Sequence, residues 1–198
     1  RAKADVKAEV QAKAEGKTVW DIAALYTQYF HESMRAVNVL PPNIAEAKAT
    51  DHIKEMVALV EVLTKKGFAY EIEGDGIYYD ISKFKNYGKL SGRTVLQAED
   101  SVSRIDYSSK KRNRGDFCIW KFKQESSEPS WKTALSEGRP GWHIEDTAIT
   151  EKFFGTQYDI HGGARDLIFP HHEAEVSLME AISGKSPLAK YWMHVGFL

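Results

Sequence analysis

The sequence predicts an α/β fold in which a β-rich segment separates two parts that contain helices. Apolar residues recur at helical spacing over residues 1–66, strand-like runs and glycine turns occupy residues 67–138, and helical and strand patterns alternate over residues 139–198. We therefore predict boundaries after residues 66 and 138. The 198 residues are enough to bury a real core.

The first part has clear helix signals. Residues 1–18 are rich in Ala, Lys and Glu, which favour helix. A second helix is predicted over residues 19–37 from the spacing of its apolar side chains. A third is predicted over residues 50–66, with Thr50 near its cap and Gly67 at its end.

The middle segment has the pattern of strands and turns. Residues 69–72 and 77–81 flank Glu-Gly-Asp-Gly at 73–76, which predicts a β-hairpin. A further strand is predicted over residues 117–122. Residues 104–114 carry several lysines and arginines, which suit either a solvated loop or contact with RNA.

The strand predicted from Tyr158 is expected to lead into the functional site. Tyr158 and Ile160 fit a buried strand. Gly162 and Gly163 would permit a tight turn at its end and a close approach of the backbone to a ligand. A nucleotide-sized ligand could bind at this turn.

The next helix carries a spacing that suits a metal ion. It is predicted to begin at Pro170 and to end at Gly184. His171 and Glu175 are four residues apart, so they share one helical face and could hold one ion together. The alternative is that His171 and Glu175 are an ordinary exposed pair on a helix, since two ligands do not make a metal site.

A third ligand could come from the helix that is predicted after a turn at residues 138–141. Glu145 and Asp146 lie near the start of that helix. Histidines are also concentrated in this part of the chain. Five of the seven histidines lie in the last third, at His143, His161, His171, His172 and His194.

Composition excludes few classes of partner. The chain is 42% hydrophobic and 28% charged with a net charge of −1, so no basic excess indicates nucleic acid. Its one cysteine, Cys118, rules out an intramolecular disulfide and fits a reducing compartment. We find no apolar run long enough to span a membrane and no signal peptide. A cytoplasmic location is therefore expected.

Four motifs follow one another in the last third. They are Arg-Pro-Gly-Trp-His-Ile-Glu at 139–145, Asp-Ile-His-Gly-Gly at 159–163, Phe-Pro-His-His-Glu at 169–173 and Tyr-Trp-Met-His at 191–194. Because these four motifs occur in this order and at compact spacing, the sequence resembles the cysteinyl-tRNA synthetase family. Similarity continues upstream, for example at Tyr-Gly-Lys-Leu-Ser, residues 87–91, so the resemblance covers nearly all of the chain.

The resemblance implies a partial, Rossmann-like catalytic domain of a class I synthetase, interrupted by a β-rich connective insertion. Residues 1–66 would belong to the first half, 67–138 would form the insertion and 139–198 the second half. The family's His-Ile-Gly-His and Lys-Met-Ser-Lys-Ser signatures do not occur in this sequence. We therefore expect an internal portion of a longer protein that is inactive when isolated.

The resemblance also implies a reaction and its partners. ATP, with Mg²⁺, and L-cysteine would form cysteinyl-adenylate, and the cysteinyl group would pass to tRNA(Cys). Zinc would select cysteine over serine because it prefers a thiolate to a hydroxyl. Two other functions remain open, namely a ligase that joins cysteine to an amino-sugar and a non-catalytic fragment or RNA-binding module.

In this resemblance, His171 and Glu175 match two zinc ligands. The family usually has cysteine where this chain has Asp146. Aspartate can bind zinc through oxygen but is a harder donor, so the site has either kept zinc with a carboxylate ligand or lost it. A cap on the first turn of its helix is a third role for Asp146. The positions implied to contact cysteine or adenylate are Trp142, His161, Gly162, Gly163 and Asp166.

Overall fold

The computed structural model describes residues 10–12, 14–43, 47–93, 108–126 and 128–196. The chain divides into two compact units, Arg1–Ala47 and Lys48–Leu198. The first unit contains helix α1 (Val19–Ala36), as predicted. Thr18 begins it with a capping box, in which its hydroxyl accepts from the backbone N–H of Asp21 and the Asp21 carboxylate accepts from the N–H of Thr18.

In the second unit, helix α2 (Ile53–Lys65) confirms the third predicted helix but not its cap. Thr50 lies in a short 3₁₀ turn, Ala49–Asp51, and the residue at the helix cap is His52. The N–H of His52 donates to the carbonyl of Ala49, which completes this turn before the helix begins. The predicted start was therefore three residues too early, because a 3₁₀ turn and an α-helix have similar local sequence signals.

The middle of the chain forms a five-stranded antiparallel sheet. Its strands are β1 (Ala69–Ile72), β2 (Gly76–Tyr79), β3 (Phe117–Phe122), β4 (Trp131–Lys132) and β5 (Glu137–Pro140). They lie in the order β1-β2-β3-β5-β4. The predicted hairpin (β1 with β2) and the strand predicted over residues 117–122 (β3) are confirmed. The predicted basic loop lies partly outside the described residues, which resume at residue 108.

The turn predicted at residues 138–141 is wrong, because most of this segment is strand β5. Gly138 pairs with Phe122 of β3. A Cβ added at Gly138 would lie 2.3 Å from the backbone oxygen of Lys121, and one at Gly141 would lie 1.9 Å from that of Cys118. These glycines therefore permit close contact between backbones rather than a reversal of the chain.

The last part alternates helix and strand as predicted. Helix α3 (Trp142–Phe154) is followed by strand β6 (Tyr158–Ala164), helix α4 (Glu173–Ser183) and strand β7 (Ala189–Val195). Strands β6 and β7 pair in parallel in a separate two-stranded sheet. Helix α4 ends at Gly184, whose φ of 71° is in the left-handed region.

Two expectations for β6 are wrong. Gly162 and Gly163 do not turn but continue the strand, where they pair with Met193 and His194. Ile160 is 64% exposed rather than buried. The pairing with β7, which is distant in sequence, extends the strand through both glycines, and the face that carries Ile160 is open among the described residues.

One hydrophobic core joins α2, α3 and α4 to the five-stranded sheet. It includes Leu63, Tyr79, Ile144 and Leu178, all of which are less than 2% exposed. Residues from all three predicted domains therefore pack in one core, and the boundaries after residues 66 and 138 stay predictions. Among the described residues, no helix has the length and apolar character needed to cross a membrane.

Candidate metal and substrate site

Strands β6 and β7 form one side of a cluster of histidines. His161 lies opposite Trp192, and Gly163 lies opposite His194. Because side chains alternate between the two faces of a strand, these four positions share one face. The rings of His161 and Trp192 stack with centroids 4.5 Å apart.

The other side of the cluster comes from α3, from the turn Ile168–His172 and from the start of α4, which begins at Glu173 rather than at the predicted Pro170. His171 and Glu175 project together as their spacing predicts, with 2.8 Å between His171 Nε2 and Glu175 Oε1. Asp146 of α3 places its Oδ2 3.1 Å from the same nitrogen. Ligand atoms of these three residues lie within 4.8 Å of one another. They are close enough to surround one cation.

The charges of the three side chains are strongly coupled. Glu175 is 2% exposed, whereas the Asp146 side chain is 46% exposed. Burial lowers the pKa of His171, but hydrogen bonds to Asp146 and Glu175 outweigh it and raise this pKa to about 9. Burial also raises the pKa of Glu175, which His171 partly offsets. A proton on His171 Nε2 thus links the carboxylates, and a bound cation has to displace it.

His143 orients the ring of His171 from the opposite side. The Nδ1 atoms of the two rings are 2.8 Å apart. Burial, reinforced by His171, lowers the pKa of His143 to about 3, so the ring of His143 is neutral and its Nδ1 can accept a hydrogen bond from the Nδ1–H of His171. The Nε2 atom of His171 is thereby directed at the carboxylates. Trp142 stacks on His171 with centroids 4.7 Å apart and is 56% exposed, so it covers this ring from the solvent side.

Glu175 also faces a second pair of histidines. Its Oε2 atom is 3.5 Å from His161 Nε2 and is a buried atom that has no hydrogen-bond partner among the described residues. Ligand atoms of His161, His172 and Glu175 likewise lie within 4.8 Å of one another. Burial, reinforced by neighbouring histidines, lowers the pKa values of His161 and His172 to about 4, so both rings are neutral near pH 7.

Comparison with known proteins identifies the family. The family model described as "tRNA synthetases class I (C) catalytic domain" matches residues 3–198, which is nearly the whole chain. The chain belongs to this family. The resemblance inferred from the four motifs is confirmed, and the mixture of helices and sheets agrees with the α/β prediction.

Curated relatives of this synthetase domain are cysteine–tRNA ligases. The chain is 47% identical to the one from Thermoplasma volcanium over 95% of the chain and 40% of the relative. It is 48% identical to that from Thermoplasma acidophilum over 90% of the chain and 38% of the relative. For Methanococcus maripaludis the identity is 45%, over 98% of the chain and 40% of the relative. The chain thus spans about two fifths of the length of these relatives.

In this synthetase domain, the structure brings together five of the side chains that the sequence singled out. The three remaining positions differ in their placement. Gly163 faces the cluster, where an added Cβ would lie 2.5 Å from Cε1 of His172. Gly162 is on the opposite face of β6, and Asp166 is exposed on the turn Arg165–Leu167. The five side chains that lie together are Trp142, Asp146, His161, His171 and Glu175.

Several residues of the cluster were not assigned a role from the sequence. His143 contacts His171, and His172 and His194 are joined through Nδ1 and Nε2 at 2.8 Å. The Trp192 ring stacks with the rings of His161 and His194, with centroids 4.5 and 5.8 Å apart. The concentration of five histidines in the last third was the available signal, but pairing β6 with β7 is what brings His194 beside His172.

Proposed function

We propose that the chain is the part of a cysteine–tRNA ligase that recognises L-cysteine. The whole protein would use ATP, with Mg²⁺, to form cysteinyl-adenylate and would transfer the cysteinyl group to tRNA(Cys). The names of the relatives support this proposal. The observation that carries it is the convergence of Asp146, His171 and Glu175 inside a class I synthetase catalytic domain.

The donor set of this site fits a zinc ion. One imidazole and two carboxylates are common zinc ligands, and the ligand atoms of these three residues lie within 4.8 Å of one another, which supports a shared cation. Asp146 would supply an oxygen at the position where the family resemblance has a cysteine sulfur. The proposed site therefore keeps the formal charge of a thiolate with a harder donor atom.

A site for cysteine has to reject serine, which differs by one atom, and apolar contacts separate such near-isosteres only weakly. When bound, zinc supplies this selectivity because it prefers a thiolate to a neutral hydroxyl. The chain's own residues would position the ligands and the substrate. His143 holds His171 through its Nδ1 atom, so that Nε2 faces Asp146 and Glu175, and Trp142 limits access of water to that ring.

The remaining proposed substrate contacts lie beside this position. Tyr158 Oη is 2.6 Å from His161 Nδ1 and so holds the His161 ring in one orientation. Gly163 leaves room next to His172 that any side chain would fill. We propose that Gly162 and Asp166, on the neighbouring surface, contact the adenylate portion rather than the cysteine side chain.

The test uses Co²⁺ in place of zinc, because a thiolate bound to Co²⁺ gives a charge-transfer absorption that nitrogen and oxygen ligands do not give. L-cysteine added to the Co²⁺-loaded chain is expected to produce this band, and L-serine is not. Asp146→Cys is expected to produce it without substrate, and Asp146→Cys combined with His171→Ala is expected to lose it. His31→Ala, in α1, is the matched control.

Absence of the band with both L-cysteine and Asp146→Cys would overturn the proposed metal site.

The acceptor of the cysteinyl group is tested on the full-length protein. Once cysteine-dependent pyrophosphate exchange has been measured, transfer of the cysteinyl group to tRNA(Cys) is compared with its transfer to amino-sugars. The 198-residue chain alone is expected to show no such exchange, because the two signature sequences that handle the triphosphate in the resembling family are not in it.

A further inference from the structure

The two carboxylate oxygens of Glu175 face different histidines. Oε1 is 2.8 Å from His171 Nε2, whereas Oε2 is 3.5 Å from His161 Nε2. The Glu175 side chain is 2% exposed, and Oε2 has no hydrogen-bond partner among the described residues. A buried carboxylate oxygen without a partner is costly, so its environment is suited to a ligand.

The two histidines that face this oxygen are held in the way that metal-binding histidines are held. The Nδ1 atom of His161 bonds to Tyr158 Oη at 2.6 Å. The Nδ1 atom of His172 bonds to His194 Nε2 at 2.8 Å. In metal sites the ring nitrogen that does not bind the ion is commonly fixed by such a second partner, which orients the other nitrogen toward the ion.

The backbone also leaves space at this place. A Cβ on Gly163 would lie 2.5 Å from Cε1 and 3.0 Å from Nε2 of His172. Any residue other than glycine would therefore displace the His172 ring. The short separation of ligand atoms, all within 4.8 Å for His161, His172 and Glu175, depends on this glycine.

We propose that His161, His172 and Glu175 form a second position for a divalent cation, beside the position formed by Asp146 and His171. Two imidazoles and one carboxylate suit Zn²⁺ or Co²⁺, and three protein ligands leave a coordination place open for water or a substrate group. Glu175 is shared, so an ion at either position changes the charge felt at the other. The second position needs neither Asp146 nor His171.

The test is a Co²⁺ titration of the His171→Ala chain, followed by visible absorption. This variant is expected to bind one equivalent of Co²⁺ with a d–d spectrum that lacks a thiolate band, since the only cysteine is buried Cys118. Adding His161→Gln or His172→Gln is expected to abolish this binding, and adding His31→Gln is not. Tyr158→Phe is expected to weaken it by about 10–100-fold, the usual effect of losing an orienting partner.

Loss of all Co²⁺ binding in His171→Ala would overturn the second position. Asp146→Ala, which changes a half-exposed side chain, replaces His171→Ala if circular dichroism shows that the latter is unfolded. The substrate-free thiolate band of Asp146→Cys reports only the first position, because Asp146 belongs to that group alone. Failure of the proposed metal site and failure of the second position therefore give different results.

Discussion

Replacing Glu173 by glutamine should reveal how strongly the start of α4 is tied to the segment that follows β2. Glu173 is 0% exposed, and its carboxylate accepts three backbone hydrogen bonds. Gly88 N donates to Oε1 at 2.9 Å, and Leu90 N and Ser91 N donate to Oε2 at 3.0 and 2.8 Å. The three donors form a concave group of N–H bonds around one anion.

Glutamine has the same shape but only one oxygen. Its carbonyl can retain the two donors Leu90 and Ser91, which leaves its NH₂ group against the N–H of Gly88. One charge-assisted hydrogen bond is lost and one buried donor is unpaired, so Glu173→Gln is expected to reduce the free energy of unfolding by about 2–3 kcal/mol. Glu173→Ala, which removes all three acceptor contacts, is expected to cost at least about 4 kcal/mol.

The assay is urea unfolding of the 198-residue chain, followed by tryptophan fluorescence and circular dichroism. The matched control is Glu71→Gln at an exposed position of β1, where the change is expected to stay within about 0.5 kcal/mol. If Glu173→Gln and Glu71→Gln give the same free energy of unfolding within about 0.5 kcal/mol, the argument that these three bonds stabilise the fold is wrong.

Three further substitutions test the packing. Gly141→Ala is expected to cost more stability than Gly184→Ala, because its added Cβ would lie 1.9 Å from the Cys118 backbone oxygen, whereas at Gly184 nothing lies within 4 Å and only a φ of 71° opposes alanine. Equal melting temperatures would contradict this. Tyr79→Phe removes a buried 3.1 Å bond to the Ser177 carbonyl and should cost about 1–2 kcal/mol in urea unfolding; an unchanged midpoint would contradict it.

Elements with strong local signals were predicted correctly from the sequence. Helix α1, the β1–β2 hairpin and the end of α4 at Gly184 all occur where expected. Their signals depend on neighbours within about four residues, namely apolar side chains at helical spacing, a glycine turn and a glycine at the end of a helix. Signals of this kind can be recognised in the sequence without knowledge of the tertiary structure.

The wrong predictions share a different cause. Residues 138–141 and the pair Gly162–Gly163 were expected to turn because glycine is common in turns, yet both segments are extended. Each segment pairs with a strand that is not its neighbour in sequence, β3 for residues 138–140 and β7 for the glycine pair, and glycine serves the close approach of backbone or of a histidine ring. Pairing with a remote strand overrides the local preference of a glycine.

For the candidate site, the sequence by itself determined the pair His171 and Glu175, because four residues along a helix always bring two side chains to one face. Its motifs also determined the family. Only the tertiary structure decided that Asp146 joins this pair and that the second oxygen of Glu175 faces His161. These contacts join residues on different elements, so their distances depend on how α3, α4 and the parallel strands pack and not on local sequence.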